Sequence, residues 1–377
     1  MSAEYSFLEF FAGGGMTRLG LGDSWRCSLA NDIDSQKCAA YRANFGGDDL
    51  IEGDIAKITL AQLPKTPADL MWGSFPCQDL SLAGARGGIR AKRSGAFFGF
   101  WRIVEDLAAA GRGPRIIALE NVTGLLTSNG GRDFAAIANL MSSAGYNVSA
   151  MVLDAKTFTP QSRPRLFMFG FSADAEPPFA LSPSENETTP ASLRDAVKQL
   201  SPEVQQSWRW LTAAPTARRN IKLSDIIDWN AADWRGPKQT QQLLDMMSKT
   251  QRGRIDAIKR HGARRVGAAF RRTRIEGGET VQRVEARFDG IAGCLRTPAG
   301  GSSRQILFAI ENGKVRSRLI NSREAARLMG LPEDYILPQS PNAALKLCGD
   351  GVCAPVVQWL AENIFEPALK QRALQAA

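Results

Sequence analysis

Histidine occurs once in 377 residues, as His261, and the six cysteines (Cys27, Cys38, Cys77, Cys294, Cys348 and Cys353) include no CxxC pair. This argues against a zinc site and against a disulfide scaffold, and suits a reducing compartment. A Cys–His protease would have to rest on His261, which sits inside a run of arginines. No uninterrupted apolar stretch is long enough to cross a bilayer. The opening MSAEYSFLEF is acidic at its start and short in its apolar part, unlike a secretory leader. A soluble cytoplasmic protein without a metal is expected. Negative charge is also in short supply: 38 Asp and Glu face 47 Lys and Arg, for a net charge of +9. The excess favours a polyanionic partner, with a merely basic soluble enzyme as the plainer alternative.

What the chain does have is alternation. Up to about Phe171, short apolar runs precede helical patterns: FLEFF (7–11), SLA, ADLMW (68–72) and RIIAL (115–119) alternate with MTRLGLG, SQKCAAYRANF, AFFGFWRIVEDLAAAG and GRDFAAIANLMSSAG. RLFMFGF (165–171) reads as a further buried strand. Such repetition implies an α/β fold, a parallel sheet with helices on both faces. The proline- and serine-rich SADAEPPFALSPSENETTP then reads as a boundary. A polar, less periodic region follows, with Trp208, Trp210, Trp229 and Trp234 interspersed. Its basic run holds Arg252, Arg254, Lys259, Arg260, Arg264, Arg265, Arg271, Arg272 and Arg274 against the single acid Asp256. Regularity returns at NSREAARLMGLPEDY (321–335) and PVVQWLAENIF (355–365).

In an open α/β sheet, ligands bind beyond the carboxyl ends of the strands. The unusual residues fall there: Gly13–Gly15, Asp32, Asp54, Cys77 and Glu120. FAGGG lets the backbone approach a ligand at a helix start, although Arg18 stands where GxGxxG has its third glycine. Asp32 follows at the distance of a ribose-binding acid, with a helix cap or turn as its alternative. Asp54 in EGDI has the same two readings. Cys77 follows Pro76 in a loop, a placement that suits a presented thiolate better than a structural cysteine. Glu120 in LENV is either a proton-exchanging acid or a buried structural carboxylate. A thiol, an acid, a nucleoside cofactor and a basic surface together suit covalent chemistry on a nucleobase.

Taken in order, these segments resemble the DNA (cytosine-5) methyltransferases of bacterial type. FAGGGMTRLGLG, NDID and GDI resemble the family's cofactor motifs, GSFPCQDLSLAG its nucleophile loop, and ENV its base-protonating motif. QSRPR (161–165) is similar to the target-site arginine motif, and SREAARLMGLP (322–332) and GDGVCAPVV (349–357) to the two closing motifs. The resemblance implies a Rossmann-like methyltransferase sheet plus a smaller, irregular target-recognition domain. The expected divisions are a catalytic domain over 1–175, a recognition insertion over 176–318 and a return to the catalytic domain over 319–377. It implies catalytic roles for Cys77, Glu120, Arg163 and Arg165. S-adenosylmethionine is the implied cofactor, contacted by Phe11, Ala12, Gly13, Gly14, Gly15, Asp32, Ile33, Asp54, Ile55, Phe75, Pro76, Asp350 and Val352.

The implied substrate is double-stranded DNA, with a target cytosine flipped from the duplex. Gln78, Ser81, Arg271, Arg272 and Arg274 are the expected DNA contacts, and the loop from Gln78 to about Gly95 is expected to close over the duplex. The protein is expected to be a monomer, held at the nucleoid through DNA, with a cognate restriction endonuclease as a candidate companion. A catalytically silent DNA-binding homologue and a tRNA cytosine-5 methyltransferase are the alternatives. Intact Cys77, Glu120, Arg163 and Arg165 argue against the first, and the large insertion against the second. Four positions depart from the family pattern: Met16 and Ser74 replace glycines, Cys294 stands where threonine is common, and Asp350-Gly351 replaces asparagine and a small residue. For Asp350, capping of the closing helix is the preferred reading over a charge-selective cofactor contact.

Overall fold

A computed structural model describes residues 3–76, 95–216, 219–262, 264–297 and 304–375, the last five as backbone only. The chain forms two compact units, one of residues 1–154, 164–216 and 354–377, the other of 155–163 and 217–353.

The first unit is built on β1 (Tyr5–Phe10), β2 (Trp25–Asp32), β3 (Leu50–Glu52), β4 (Leu70–Gly73), β5 (Ile116–Val122), β6 (Asn147–Asp154) and β7 (Pro164–Phe171). Their order across the sheet is β3-β2-β1-β4-β5-β7-β6. All pairs are parallel except those of β7, which runs antiparallel to β5 and β6. The chain reverses its direction of winding between β1 and β4, the place where open α/β sheets leave a crevice for ligands. Every residue of β4 is buried, as are the first six of β5, the continuous apolar character of strands covered on both faces. On one face Leu8, Phe10, Met71 and Leu119 pack against Phe97, Phe100 and Trp101 of the helix Ala96–Ala109. On the other, Phe365 meets Trp72 and Phe169 edge-on. The helix Met16–Leu21 meets the returning C-terminal helix Ala354–Leu360 at Gly20, where a Cβ would stand 2.5 Å from the Ala354 carbonyl oxygen.

The second unit is more regular than its polar sequence suggested. After a short ladder in the first unit, β8 (Phe179–Ala180) with β9 (Trp210–Leu211), the strands β10 (Arg265–Glu276), β11 (Glu279–Arg287), β12 (Ile306–Glu311) and β13 (Lys314–Leu319) form an antiparallel sheet in the order β11-β10-β12-β13. Helices Pro237–Asp245 and Lys249–His261 cover one face, burying Leu243, Leu244 and Ile255 against Ala269, Val284, Ile306 and Phe308. Gly277 and Gly278 both take positive φ, as a two-residue hairpin turn of the right twist requires. From Arg271 to Glu276 every residue of β10 is exposed.

The divisions expected at 175/176 and 318/319 fall elsewhere. Residues 176–216 pack with the first unit, because Leu193, Ala196, Val197, Val204, Trp208 and Trp210 complete its core. Trp208 stands edge-on to Phe134, and the Arg209 N–H donates to the Val148 carbonyl. Residues 320–353 join the second unit, where Glu324 is buried against Arg318.

Candidate active site

The carboxyl ends of neighbouring strands collect the predicted residues of the first unit. After β1, Phe11, Gly13 and Gly15 all have positive φ, folding the chain into a compact loop. A Cβ on Gly15 would stand 2.5 Å from the Phe45 ring, so glycine is required there twice over. The loop is fastened to the end of β2: the Ala12 N–H donates to the Asn31 carbonyl at 2.9 Å, and the Gly13 N–H to Asp32 Oδ2 at 2.8 Å. Asp32 Oδ1 accepts the Asp34 N–H at 2.8 Å. Each carboxylate oxygen therefore keeps one lone pair for a further donor. The helix cap is Asp34, which accepts from the Gln36 and Lys37 N–H groups, so the capping alternative for Asp32 is corrected. Between them Ile33 is 71% exposed, an apolar side chain presented to solvent.

Asn31 was not singled out from sequence. Its amide donates to the Ile51 and Gly53 carbonyls, fixing the approach to Asp54. Asp54 is exposed and accepts the Ala56 N–H at 2.9 Å, while Ile55 is buried. Glu9 was also missed, being one acid inside an apolar strand. It is fully buried on β1, with its Oε2 lacking a hydrogen-bond partner. Burial pushes its pKa up to about 8, against the opposing pull of Thr17 and Arg18.

After β4, the Ser74 hydroxyl accepts the Trp72 indole N–H at 2.8 Å, a bond that the glycine usual at this position could not make. Phe75 is buried against the Phe97 ring, and Pro76 is exposed. Cys77, Gln78, Ser81 and the loop to Ser94 lie outside the described residues. At the end of β5, Glu120 is buried and its Oε1 meets Arg165 Nε at 2.9 Å. Arg165 stands at the start of β7, in register with Val122. The next residue, Asn121, donates its side-chain amide to the Phe75 carbonyl at 3.1 Å.

Arg163 belongs to the second unit. Its guanidinium donates to Cys294 Sγ and to the Leu295, Gly349 and Gly351 carbonyls, and it is 2% exposed. That is the environment of a structural clamp, with Gln161 beside it accepting the Leu295 N–H and donating to the Leu328 carbonyl. Asp350 is the last residue of the helix Pro341–Asp350, bonded to Thr297 Oγ1 and 3.4 Å from Lys346 Nζ. Val352 is buried in the same unit. The three arginines of β10 divide by strand alternation. Arg272 and Arg274 both pair with Glu285, at 3.2 and 2.6 Å, and Arg271 points to the opposite face.

A parallel sheet with a glycine loop, an exposed apolar side chain and an acid at adjoining strand ends defines a nucleoside-cofactor enzyme of the α/β class. The chain belongs to the C-5 cytosine-specific DNA methylase family, whose model matches residues 5–366. It is 28% identical to Type II methyltransferase M1.ScrFI of Lactococcus lactis subsp. cremoris over 98% of this chain and 80% of that protein. It is likewise 28% identical to Type II methyltransferase M.HhaI of Haemophilus parahaemolyticus, over 95% and 93%. Its fold is similar to that of the Dnmt2 methyltransferase of S. pombe, with a TM-score of 0.59 at 17% identity, covering 96% of this chain and 99% of that one. The protein is thus a DNA cytosine-5 methyltransferase, of a family that uses S-adenosylmethionine. The glycine loop, the remaining lone pairs of Asp32 and the exposed Ile33 fit that cofactor. No helix among the described residues is long and apolar enough to cross a membrane.

Proposed function

We propose that this protein methylates C5 of a flipped cytosine within a specific duplex DNA sequence, through a covalent bond between Cys77 and C6. The reading is supported by one observation: Asn121 ties the end of β5, where Glu120 meets Arg165, to the Phe75 carbonyl, two residues before Cys77. S-adenosylmethionine, when bound, supplies an electrophilic methyl group. Asp32 and Asp54 would hold its sugar and base ends, with Ile33 against the base.

Cytosine C5 is a poor nucleophile, and addition of a thiolate at C6 makes it an enamine carbon able to accept the methyl group. In the proposed sequence the Cys77 thiolate forms the S–C6 bond while Glu120 gives a hydrogen bond or proton to N3. Arg165 holds Glu120 in place and borders the ring. After methylation the C5 proton leaves to a base, the S–C6 bond breaks to restore the Cys77 thiolate, and any proton given to N3 returns to Glu120. The second unit would recognise the target sequence. A cognate endonuclease in the same cell is part of this proposal, since the relatives are named Type II methyltransferases.

The test is transfer of labelled methyl from the cofactor to duplex DNA, with tRNA as competitor, followed by bisulfite sequencing of DNA from expressing cells. Label in DNA at a fixed sequence supports the proposal. Absence of transfer with intact DNA binding would support a silent homologue, and preferential labelling of tRNA an RNA enzyme.

A further inference from the structure

Nine arginines of the second unit pair with an acid among the described residues. Arg272 and Arg274 share Glu285, Arg283 pairs with Glu276, Arg287 with Asp289 and Arg318 with Glu324. Arg235, Arg271 and Arg304 are among those that do not. None forms an ion pair among the described residues, and Arg235 Nη1 and Arg304 Nε are buried without a hydrogen-bond partner.

The topology brings the three together. β10 and β12 pair Ala269 with Ile306, so Arg271, two residues beyond, and Arg304, two residues before, fall on the same face of the sheet at neighbouring positions. That face carries Ala269 and Ile306 into the unit's core, and the arginines stand at its rim. Arg235 is held at the same rim, its backbone N–H bonded to the Ser317 carbonyl of β13. It directly precedes Gly236, the cap of the helix Pro237–Asp245, whose first turn contains no acid. Burial, and then the adjacent charge of Arg271, with a further contribution from Arg304, holds the Arg235 pKa below the ordinary guanidinium value. Asp233 opposes this, but its carboxylate is 60% exposed and stands 3.9 Å from Arg318.

Three like charges at a half-buried rim, with two orphaned donors, are an unfavourable arrangement in the unliganded protein. An anion of compact, multiply accepting shape relieves both costs, and arginine forks match the oxygens of a phosphate. We propose that Arg235, Arg271 and Arg304 form a single phosphate site that takes one backbone phosphate of the duplex. This rests on the DNA reading above. A guanine edge offers two acceptors but no negative charge, so it would leave three guanidiniums uncompensated. Charge therefore favours phosphate, and the site positions the duplex rather than reading its sequence.

The experiment measures duplex binding across salt concentrations for the wild type, Arg235→Gln, Arg271→Gln, Arg304→Gln and the double variant Arg271→Gln/Arg304→Gln. Thermal midpoints of the free proteins are recorded with and without inorganic phosphate. Each single change should flatten the slope of log K against log[salt] by up to about 0.9, the value of one phosphate. The double variant should lose little more than either single one, because the residues share that phosphate. Arg274→Gln should leave the slope closer to wild type than Arg271→Gln does. The free single variants should be as stable as the wild type or more so at low salt, and inorganic phosphate should stabilise the wild type most. Destabilised variants with unchanged slopes would overturn the proposal and make the arginines structural. Equal stabilisation of wild type and double variant by phosphate would also overturn it. Wild type that fails to bind duplex at all, yet shows the phosphate-dependent difference, would defeat the DNA reading and leave an anion site of another purpose.

Discussion

Asn121 donates its amide to the Phe75 carbonyl across 46 residues of sequence, joining the end of β5 to the segment that leads into Cys77. The same amide side chain accepts the Val122 N–H, so its orientation is fixed at both ends. Asn121→Ala leaves a buried carbonyl without its donor, a cost of about 1–3 kcal/mol. The account expects that loss in chemical denaturation, together with a fall of at least about tenfold in single-turnover methyl transfer. Cofactor affinity should change little, because the glycine loop is fastened elsewhere. An equal loss of cofactor binding would show that Asn121 serves the whole sheet edge.

Glu9 gives a pH signature. Its folded pKa, about 8, lies above the ordinary carboxylate value, so the stability it contributes is complete in acid and is lost as pH rises through 8. Wild-type stability should therefore fall between about pH 5 and pH 8, by up to about 1.4 kcal/mol per unit. Glu9→Gln should flatten that interval in urea denaturation. A slope unchanged by the substitution would mean that Glu9 does not titrate there.

Gly20 is required by packing rather than by backbone conformation. A methyl group there meets both the Ala354 carbonyl and Val357. Gly20→Ala should destabilise the first unit by about 1–3 kcal/mol despite alanine's better helix propensity. A stabilised variant would show that the C-terminal helix yields easily.

Arg318 and Glu324 are both fully buried, and Glu324 also accepts the Asp228 and Asn321 N–H groups. Removing one partner strands the other charge, at a cost of about 3–5 kcal/mol. Glu324→Ala should accordingly lower the unfolding midpoint of the second unit far more than Arg327→Ala, whose partner Glu333 is exposed. Equal effects would deny the buried pair its structural weight.

The strand ends and their acids were legible because fully buried parallel strands read as apolar runs stopped by glycine or aspartate. The helix Ser35–Phe45 coincides with the segment read from sequence. β6 was passed over, since Ser149 interrupts its apolar run although that serine is itself buried. The direction of β7 left no trace, because a buried antiparallel strand has the same composition as a parallel one. The hairpin of β10 and β11 could have been found from Gly277-Gly278 between alternating residues. Once that strand is known, its alternation separates Arg271 from Arg272 and Arg274, which a plain count of basic residues cannot do. The proline-rich stretch after Phe171 is a surface crossing, and the apolar spacing from Leu193 to Trp210 was the better guide to where the first unit ends. Contacts such as Asn121 with Phe75 join distant residues and leave no local mark.

The central claim is covalent attack by Cys77, and duplex DNA carrying 5-fluorocytosine at the methylated position tests it directly. Fluorine cannot leave as a cation, so the proton-removal step is blocked and the S–C6 bond persists. With S-adenosylmethionine present, the wild type should form a denaturation-resistant protein–DNA complex whose crosslinked peptide contains Cys77. Cys77→Ser should bind the same duplex and form none, since a hydroxyl stays protonated at neutral pH and adds poorly. A crosslink that persists in Cys77→Ser, or one mapped to another residue, would contradict the account.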